Sequence, residues 1–249
     1  MSASWWKCAS GSRTLACAWT TWSPTFSSVT TDGGQCQIGP SPTARAVRLN
    51  NLRARDLAAL EALIEAVPAV PPYDVALEPG DPAAPLVREA GFEPYATTAR
   101  FARAIEGLPE AEPADGVRLL TYDNAMADRY EDAEFDALHD LAIYKAMGRP
   151  TGYNEGAGYG DFTVALRGDA LIGFCFTQVP EGIIWWLGVV PDERRKGVAR
   201  LLISSAARAT RAADGTHLLV EAEDTPEARA FFGALGFRER GARELLLRS

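Results

Sequence analysis

The corner formed by residues 189–202, VVPDERRKGVARLL, places the tightest constraint on what this chain can fold into. Pro191 ends a strand, and the turn after it leads into an amphipathic helix whose first backbone N–H groups, from Arg194 to Ala199, have no partners inside the helix. A helix N-terminus carries roughly half a positive elementary charge and favours phosphate groups. Gly197 lets the backbone approach such a ligand closely. The corner therefore predicts a phosphate or pyrophosphate site.

Three consecutive basic residues, Arg194, Arg195 and Lys196, strengthen this interpretation. Basic side chains at a helix N-terminus oppose the helix dipole by about 0.3 to 1 kcal/mol each. A solvated basic helix start is the alternative, but three such residues together indicate a compensating anion.

Strands and helices alternate around this corner. Residues 161–191 read as three strands broken at RGD and PEG, which are good turn sequences, and they predict an antiparallel meander. Helix 198–212, strand THLLVEAE, helix TPEARAFFGALGF and strand ARELLLR follow, whereas strand VRLLT, a helical region at 125–147 and a loop GRPTGYNEGAGYG precede the meander. The order predicts an α/β fold with a mixed central sheet and flanking helices.

The first part of the chain resembles the last. Residues 45–105 contain a helix at 53–67, a strand YDVALEP, a helix DPAAPLVREAGF and a strand YATTARFARAI. A shift of 145 residues aligns this order with the C-terminal elements, pairing Gly91 with Gly236 and Phe92 with Phe237. We therefore expect a degenerate half-unit at 45–105, an acidic and proline-rich linker at 106–115, and a complete domain at 116–249.

Residues 1–44 differ from the rest in composition. They hold four of the six Trp and three of the four Cys, with few charges and no helical or strand period. We interpret this segment as an irregular extension.

Composition excludes several classes of partner. A net charge of −8 argues against binding to nucleic acid or to anionic membranes, and no apolar run is long enough to span a bilayer. With four Cys, two His and no CxxC pair, no metal or disulfide framework is expected. These features favour a cytoplasmic protein and mildly favour cationic partners.

The corner resembles motif A of the GNAT superfamily of acetyltransferases, V-x-P-x-x-[QR]-x-x-G-x-[GA], with Val189, Pro191, Arg194, Gly197 and Ala199 in register. TPEARAFFGALGF resembles motif B of the same superfamily, and the motifs occur in the expected order after the meander. The resemblance implies a GNAT fold preceded by a partial GNAT-like unit, a tandem plan similar to that of mycothiol synthase.

The resemblance also implies a cofactor site. Acetyl-CoA would be held at its pyrophosphate by the turn, and at its pantetheine arm by the edge of the preceding strand, as an added strand would be held. Gly188 fits a bulge that splays this strand from THLLVEAE, and an N–H near Val189 could stabilise the developing oxyanion. The expected cofactor residues are Leu187, Gly188, Val189, Arg194, Arg195, Lys196, Gly197, Val198 and Ala199.

Acylation of an amine needs a group that removes a proton. Glu221 and Glu223 alternate on one face of the strand beside the splay and are the candidate catalytic carboxylates, with Asp224 behind them; a solvated strand end is the alternative.

Two family residues are replaced here. Phe232 stands where the family usually places a proton-donating tyrosine, and Thr225 stands where it places an asparagine. Water, or Tyr153 or Tyr159 in the glycine-rich loop, could supply the missing proton.

We therefore expect an acetyl-CoA-dependent N-acetyltransferase that acts on a primary amine by direct attack in a ternary complex, without a metal. A catalytically weak acetyl-CoA-binding sensor or scaffold is the alternative, motivated by Phe232 and Thr225. A nucleotide-phosphate-binding protein unrelated to CoA would require the motif B match to be accidental. The sequence leaves the acceptor open, and it also leaves open whether the chain forms a homodimer.

Overall fold

The computed structural model describes residues 27–40, 46–67, 72–112, 115–147 and 160–249. Eleven strands form one mixed sheet in the order β1-β2-β3-β4-β11-β5-β10-β9-β8-β7-β6. The strands are β1 (Ser27–Thr31), β2 (Gly34–Pro40), β3 (Val47–Ala54), β4 (Tyr73–Leu77), β5 (Glu93–Ala104), β6 (Val117–Thr121), β7 (Gly160–Arg167), β8 (Ala170–Gln178), β9 (Ile183–Val189), β10 (His217–Glu223) and β11 (Arg238–Arg248). The helices are α1 (Leu57–Ala66), α2 (Ala84–Glu89), α3 (Ala127–Leu138), α4 (Ala142–Met147), α5 (Val198–Ala212) and α6 (Pro226–Ala234).

The C-terminal part follows the predicted order closely. Strands β6 to β9 form a continuous antiparallel meander, and β9 then leads through the basic corner into α5. The helical region expected at 125–147 is divided into α3 and α4 by a break at residues 139–141. The predicted linker runs along α5, where the Ala111 N–H donates to Ser204 Oγ at 3.3 Å.

The helices cover both faces of the sheet. Apolar side chains of α5 and α6 pack with Phe101, Val220 and Phe237 on one face. Helices α1 and α2 lie on that same face. Their core includes Leu246 of β11, whose side chain points to the same face of the sheet as that of Ala242, four residues earlier. Ala242 pairs with Ala99 of β5, which belongs to the core under α5 and α6. On the opposite face, α3 and α4 pack over the meander in a cluster rich in aromatic residues.

The element order βββαβαβ occurs twice among the described residues, first as β1 to β5 with α1 and α2, then as β7 to β11 with α5 and α6. The 145-residue shift places the first residue of β5, Glu93, on the first residue of β11, Arg238. The first unit thus begins at β1, and the expected boundary at residue 45 leaves out its first two strands, β1 and β2.

The two units exchange their last strands. Strand β5 of the first unit lies between β10 and β11 of the second, while β11 lies between β4 and β5 of the first. Phe101 of β5 stacks on Phe232 of α6 with ring centroids 5.0 Å apart. Each unit therefore completes the sheet and the core of the other.

The expectation of an irregular segment at residues 1–44 is wrong for residues 27–40, which form the hairpin β1–β2 beside β3. Thr31 pairs with Gly34 across the two-residue turn Asp32-Gly33, and Gly33 has φ +85. Asp-Gly is a strong hairpin signal. The short strands and unusual composition around it concealed the pattern.

Removing residues 1–44 should lower the melting temperature by about 5 °C or more relative to a chain that lacks only residues 1–26. The deletion removes β1 and β2, including Cys36, which is 3% exposed, and uncovers the β3 edge. A loss of about 2 kcal/mol corresponds to a shift of this size in a domain of this length. Equal melting temperatures in a thermal scan followed by circular dichroism would show that the hairpin does not contribute to the folded core.

Candidate functional site

Strands β9 and β10 separate to form a cleft. They pair in parallel only at Ile183 with Leu219 and at Ile184 with Val220. Beyond this point, residues 185–189 of β9 have no strand partner on the β10 side among the described residues, and residues 221–223 of β10 pair only with β5. We call this opening the β9–β10 cleft. Its walls are the strand edges at which the sequence places Leu187, Gly188 and Val189 on one side and Glu221 and Glu223 on the other.

The bulge that starts the separation lies at Trp185. Trp186 pairs with Phe176 and Ile184 pairs with Thr177, so Trp185 is the additional residue in β9. The prediction that Gly188 forms the bulge is wrong, because Gly188 pairs regularly with Phe174. A Cβ at Gly188 would lie 2.2 Å from Phe174 Cζ, so glycine is required there to make room for that ring.

The backbone N–H of Val189 points into the cleft. The Val190 N–H donates to Ile172 O of β8 at 3.1 Å. Because successive N–H groups of a strand point to opposite edges, the Val189 N–H points to the β10 side. This donor can stabilise negative charge that develops on an oxygen in the cleft.

The anion loop, residues 190–197, connects β9 to α5. A short 3₁₀ turn at Pro191–Glu193 is followed by Arg194, Arg195 with φ +61, and Gly197 with φ +89. Gly197 is the N-cap of α5 and offers no side-chain cap. In the described part of the chain, no backbone acceptor takes the N–H groups of residues 195–199, so these donors are available to an anion.

The basic side chains of the loop differ in their contacts. Arg194 is turned away from the loop mouth, since Nε donates to Val189 O at 3.1 Å and a terminal nitrogen donates to Ala137 O at 3.0 Å. Lys196 Nζ lies 3.4 Å from Glu193 Oε1. Arg195 makes no hydrogen bond or ion pair with any residue that the structure describes. Arg194 therefore braces the loop against the end of α3, and Arg195 is the cation most available to a ligand.

Glu193 anchors the loop from the other side. Its Oε2 accepts from Arg167 Nε at 3.2 Å and from a terminal nitrogen of Arg167 at 3.0 Å. The hydrogen bonds from Arg167, with a further contribution from Lys196, lower the pKa of Glu193. The loop is thus tied to β7 through Arg167 and to α3 through Arg194.

The three carboxylates of the β10 end occupy different environments. Val220 and Ala222 pack on the α5 side, so Glu221 and Glu223 share the opposite face, where α4 lies. Both Glu221 oxygens are engaged, Oε1 by Thr98 Oγ1 at 2.5 Å and Oε2 by Arg243 at 3.3 Å. Among the described residues, the only hydrogen bond to Glu223 is a long one, from the Ile143 N–H to Oε2 at 3.3 Å.

Asp224 is unsuited to act as a base. Arg229 donates to both of its oxygens, at 2.5 and 2.9 Å, and these hydrogen bonds lower the pKa of Asp224. Among the three carboxylates, Glu223 makes the fewest hydrogen bonds with the described residues.

The positions that depart from motif B have structural roles. Phe232 is 4% exposed and packs between Phe101, Phe231 and Phe237. Thr225 is the N-cap of α6, where its Oγ1 accepts from the Ala228 N–H at 3.1 Å. Tyr153 and Tyr159, the candidate proton donors, lie outside the described residues.

The described residues offer little support for a cysteine nucleophile or a metal centre. Burial raises the pKa of the Cys175 thiol to about 12, so this residue is not a thiolate at neutral pH. Within the described ranges, no group of three or more His, Cys, Asp and Glu side chains could hold a metal ion. No helix in those ranges is long and apolar enough to cross a membrane.

Sequence reasoning missed Thr98, Arg243 and the Ile143 N–H. Thr98 is separated from Glu221 by 123 residues and reaches it only because the units exchange strands. No local pattern could have indicated these contacts.

Part of the chain matches a known protein family. Residues 158–239 match the family described as acetyltransferase (GNAT) domain. A comparison with curated protein sequences finds no match.

Similar solved structures include two GCN5-related N-acetyltransferases. The protein from Sphaerobacter thermophilus is 13% identical with a TM-score of 0.60, covering 87% of this chain and 76% of its own. The one from Kribbella flavida is 15% identical with a TM-score of 0.59, covering 89% of each chain.

A tandem GNAT protein from the clavulanic acid biosynthesis pathway is 16% identical with a TM-score of 0.58, covering 87% of this chain and 78% of its own. The fold is the GNAT fold, a mixed sheet with flanking helices, as the sequence predicted. The match at residues 158–239 supports an acetyltransferase domain, for which acyl-CoA and an acceptor are the implied substrates.

Proposed function

We propose that the chain is an acetyl-CoA-dependent N-acetyltransferase that acts on a primary amine by direct attack in a ternary complex. The observation that carries this proposal is the β9–β10 cleft, which has unpartnered helix N–H donors at one end and Glu223 on its wall. Acetyl-CoA would supply the acetyl group as a thioester.

Cofactor binding is assigned to the anion loop and the β9 edge. The N–H groups of residues 194–199 would receive the pyrophosphate, with Arg195 and Lys196 adding positive charge. Among them, the Arg194 N–H already donates to Pro191 O at 3.2 Å, so residues 195–199 carry most of this interaction. The free edge of Leu187 to Val189 would bind the pantetheine amides as an added strand.

Proton transfer is assigned to Glu223. A lysine-like amine with a pKa of about 10.4 is almost entirely protonated at neutral pH and must lose a proton before it attacks. Glu223 Oε1 has no partner among the described residues and can accept this proton directly or through water. The Val189 N–H would stabilise the carbonyl oxygen as negative charge develops on it.

Protonation of the departing thiol is less critical than deprotonation of the amine. A thiol with a pKa of about 8.5 can leave as a thiolate at neutral pH with a modest penalty. Phe232 cannot donate a proton, and Tyr159 or water is proposed in its place.

The first unit is proposed to lack a second cofactor site. Only Arg55 and Asp56 connect β3 to α1, where eight residues connect β9 to α5. The Asp56 carboxylate caps α1 by accepting the Ala59 N–H at 2.9 Å, so it occupies the position of an anion. The 145-residue shift also places Ala76 at the position of Glu221.

Calorimetric titration should therefore give one acetyl-CoA per chain. A second site of similar affinity would contradict the assignment of the first unit. An Asp56→Ala variant tests whether the cap alone blocks a second site. It should still bind one acetyl-CoA, because the two-residue connection between β3 and α1 is too short to form an anion loop.

Release of free thiol from acetyl-CoA across a panel of amines tests the proposed function. Turnover with one class of amine, together with the acetylated product, is the expected result. Tight binding without turnover across the panel would instead favour an acetyl-CoA sensor, the alternative that the buried Phe232 motivates.

A further inference from the structure

Strand β5 of the first unit places Thr98 directly beside the candidate catalytic strand. Thr98 is 2% exposed, and its Oγ1 donates to Glu221 Oε1 at 2.5 Å. Arg243 of β11 donates to the other oxygen of Glu221. Thr98 and Arg243 pair with each other across the β5–β11 ladder.

This pair lies at the centre of the tandem arrangement. Thr98 and Arg243 are 145 residues apart, which is the shift that relates the two units. They are therefore equivalent positions that face each other across the pseudo-twofold axis of the sheet. The two equivalent positions hold different residues, and the Thr98 hydroxyl and the Arg243 guanidinium both donate to the carboxylate of Glu221. The first unit has no such carboxylate, because Ala76 stands at the position equivalent to Glu221.

These two contacts fix the orientation of the Glu221 carboxylate and leave it able to accept further hydrogen bonds. An ionised carboxylate offers about four lone-pair sites, of which Thr98 and Arg243 occupy two. Glu221 lies two residues from Glu223 on the same strand face, so a group bound to Glu221 is next to Glu223. One carboxylate can thus hold a cationic acceptor while its neighbour removes a proton.

We propose that Thr98 is a positioning residue contributed by the first unit, which orients Glu221 to bind the ammonium group of the acceptor. This inference rests on the proposed function and adds a division of labour between the two glutamates: Glu221 binds the amine and Glu223 acts as the base. It also gives the first unit a role in the site, although that unit binds no cofactor itself.

The Thr98→Val variant tests this inference, because valine keeps the shape of threonine and removes the hydroxyl. The KM for the amine should rise about ten-fold, with a smaller change in kcat and an unchanged acetyl-CoA Kd. Hydrogen bonds to charged groups commonly contribute enough for a change of this size. Thr98→Ser, which keeps the hydroxyl, should restore most of the affinity for the amine.

Thr97→Val is the matched control, since Thr97 is exposed on the other face of the same strand. The kinetics of this variant should remain those of the wild type. A general loss of folded protein would lower kcat at constant KM, which distinguishes a structural effect. Should Thr98→Val fail to fold, Thr98→Ala removes the same hydroxyl with a smaller side chain at this buried position and should raise the same KM.

The outcomes separate this inference from the proposed function. Wild-type turnover with unchanged KM in Thr98→Val would overturn the inference alone. Absence of turnover in the wild-type chain would overturn the proposed function, and the inference with it.

Discussion

The Gly197→Glu variant should lose acetyl-CoA binding by at least about a hundred-fold while keeping its fold. Gly197 has φ +89, and a Cβ there would meet no atom within 4 Å, so a longer side chain has room beside the N–H groups expected to bind the pyrophosphate. A carboxylate within about 4 Å of a phosphate opposes binding by several kcal/mol at the dielectric of a protein surface. Isothermal titration calorimetry measures the change.

Two controls isolate the charge. Gly197→Gln has the same backbone strain and nearly the same volume without the charge, so it should bind acetyl-CoA more tightly than Gly197→Glu. Gly168→Glu introduces a carboxylate at another left-handed glycine with open surroundings, in the β7–β8 turn, and should leave binding unchanged. Equal affinities for wild type and Gly197→Glu, with native circular dichroism, would remove the anion loop from the cofactor site.

The Glu223→Gln variant should lower kcat by about a hundred-fold or more and leave acetyl-CoA affinity unchanged. Glutamine preserves the size of the side chain but cannot accept the amine proton, and general base catalysis commonly contributes factors of this size. Steady-state thiol release at saturating acetyl-CoA and amine measures kcat.

Asp224→Asn provides the comparison on the neighbouring residue. Asp224 is held by Arg229, and its loss should change kcat little because that carboxylate is already engaged. A large loss in Asp224→Asn, combined with full activity in Glu223→Gln, would transfer the role of base to Asp224.

The parts of the site that could be predicted from sequence are those set by local chemistry. The anion loop follows from a strand end, a glycine and a helix start within one stretch of residues 189–202. The alternation of Val220, Glu221, Ala222 and Glu223 fixes which side chains share a face of β10, whatever its neighbours are. The repeated order of elements was also visible, because each element carries its own periodicity.

The remaining features depend on contacts between distant segments. Strand exchange decides that Thr98 and Phe101 reach the second unit, and pairing partners are not encoded in the pattern of a single strand. The bulge could equally have formed at Gly188 or at Trp185, since the choice depends on how β9 registers with β8. The position of Arg194 in the sequence predicts a phosphate-binding side chain, but this side chain donates its hydrogen bonds to carbonyl groups at the ends of β9 and α3 instead.

A crystal structure of the chain with acetyl-CoA tests the central claim most directly. We expect the pyrophosphate within hydrogen-bonding distance of the N–H groups of residues 195–199 and the thioester in the β9–β10 cleft, between Val189 and Glu223. A cofactor bound elsewhere on the chain, or one whose thioester lies outside the cleft and away from Glu223, would contradict the account.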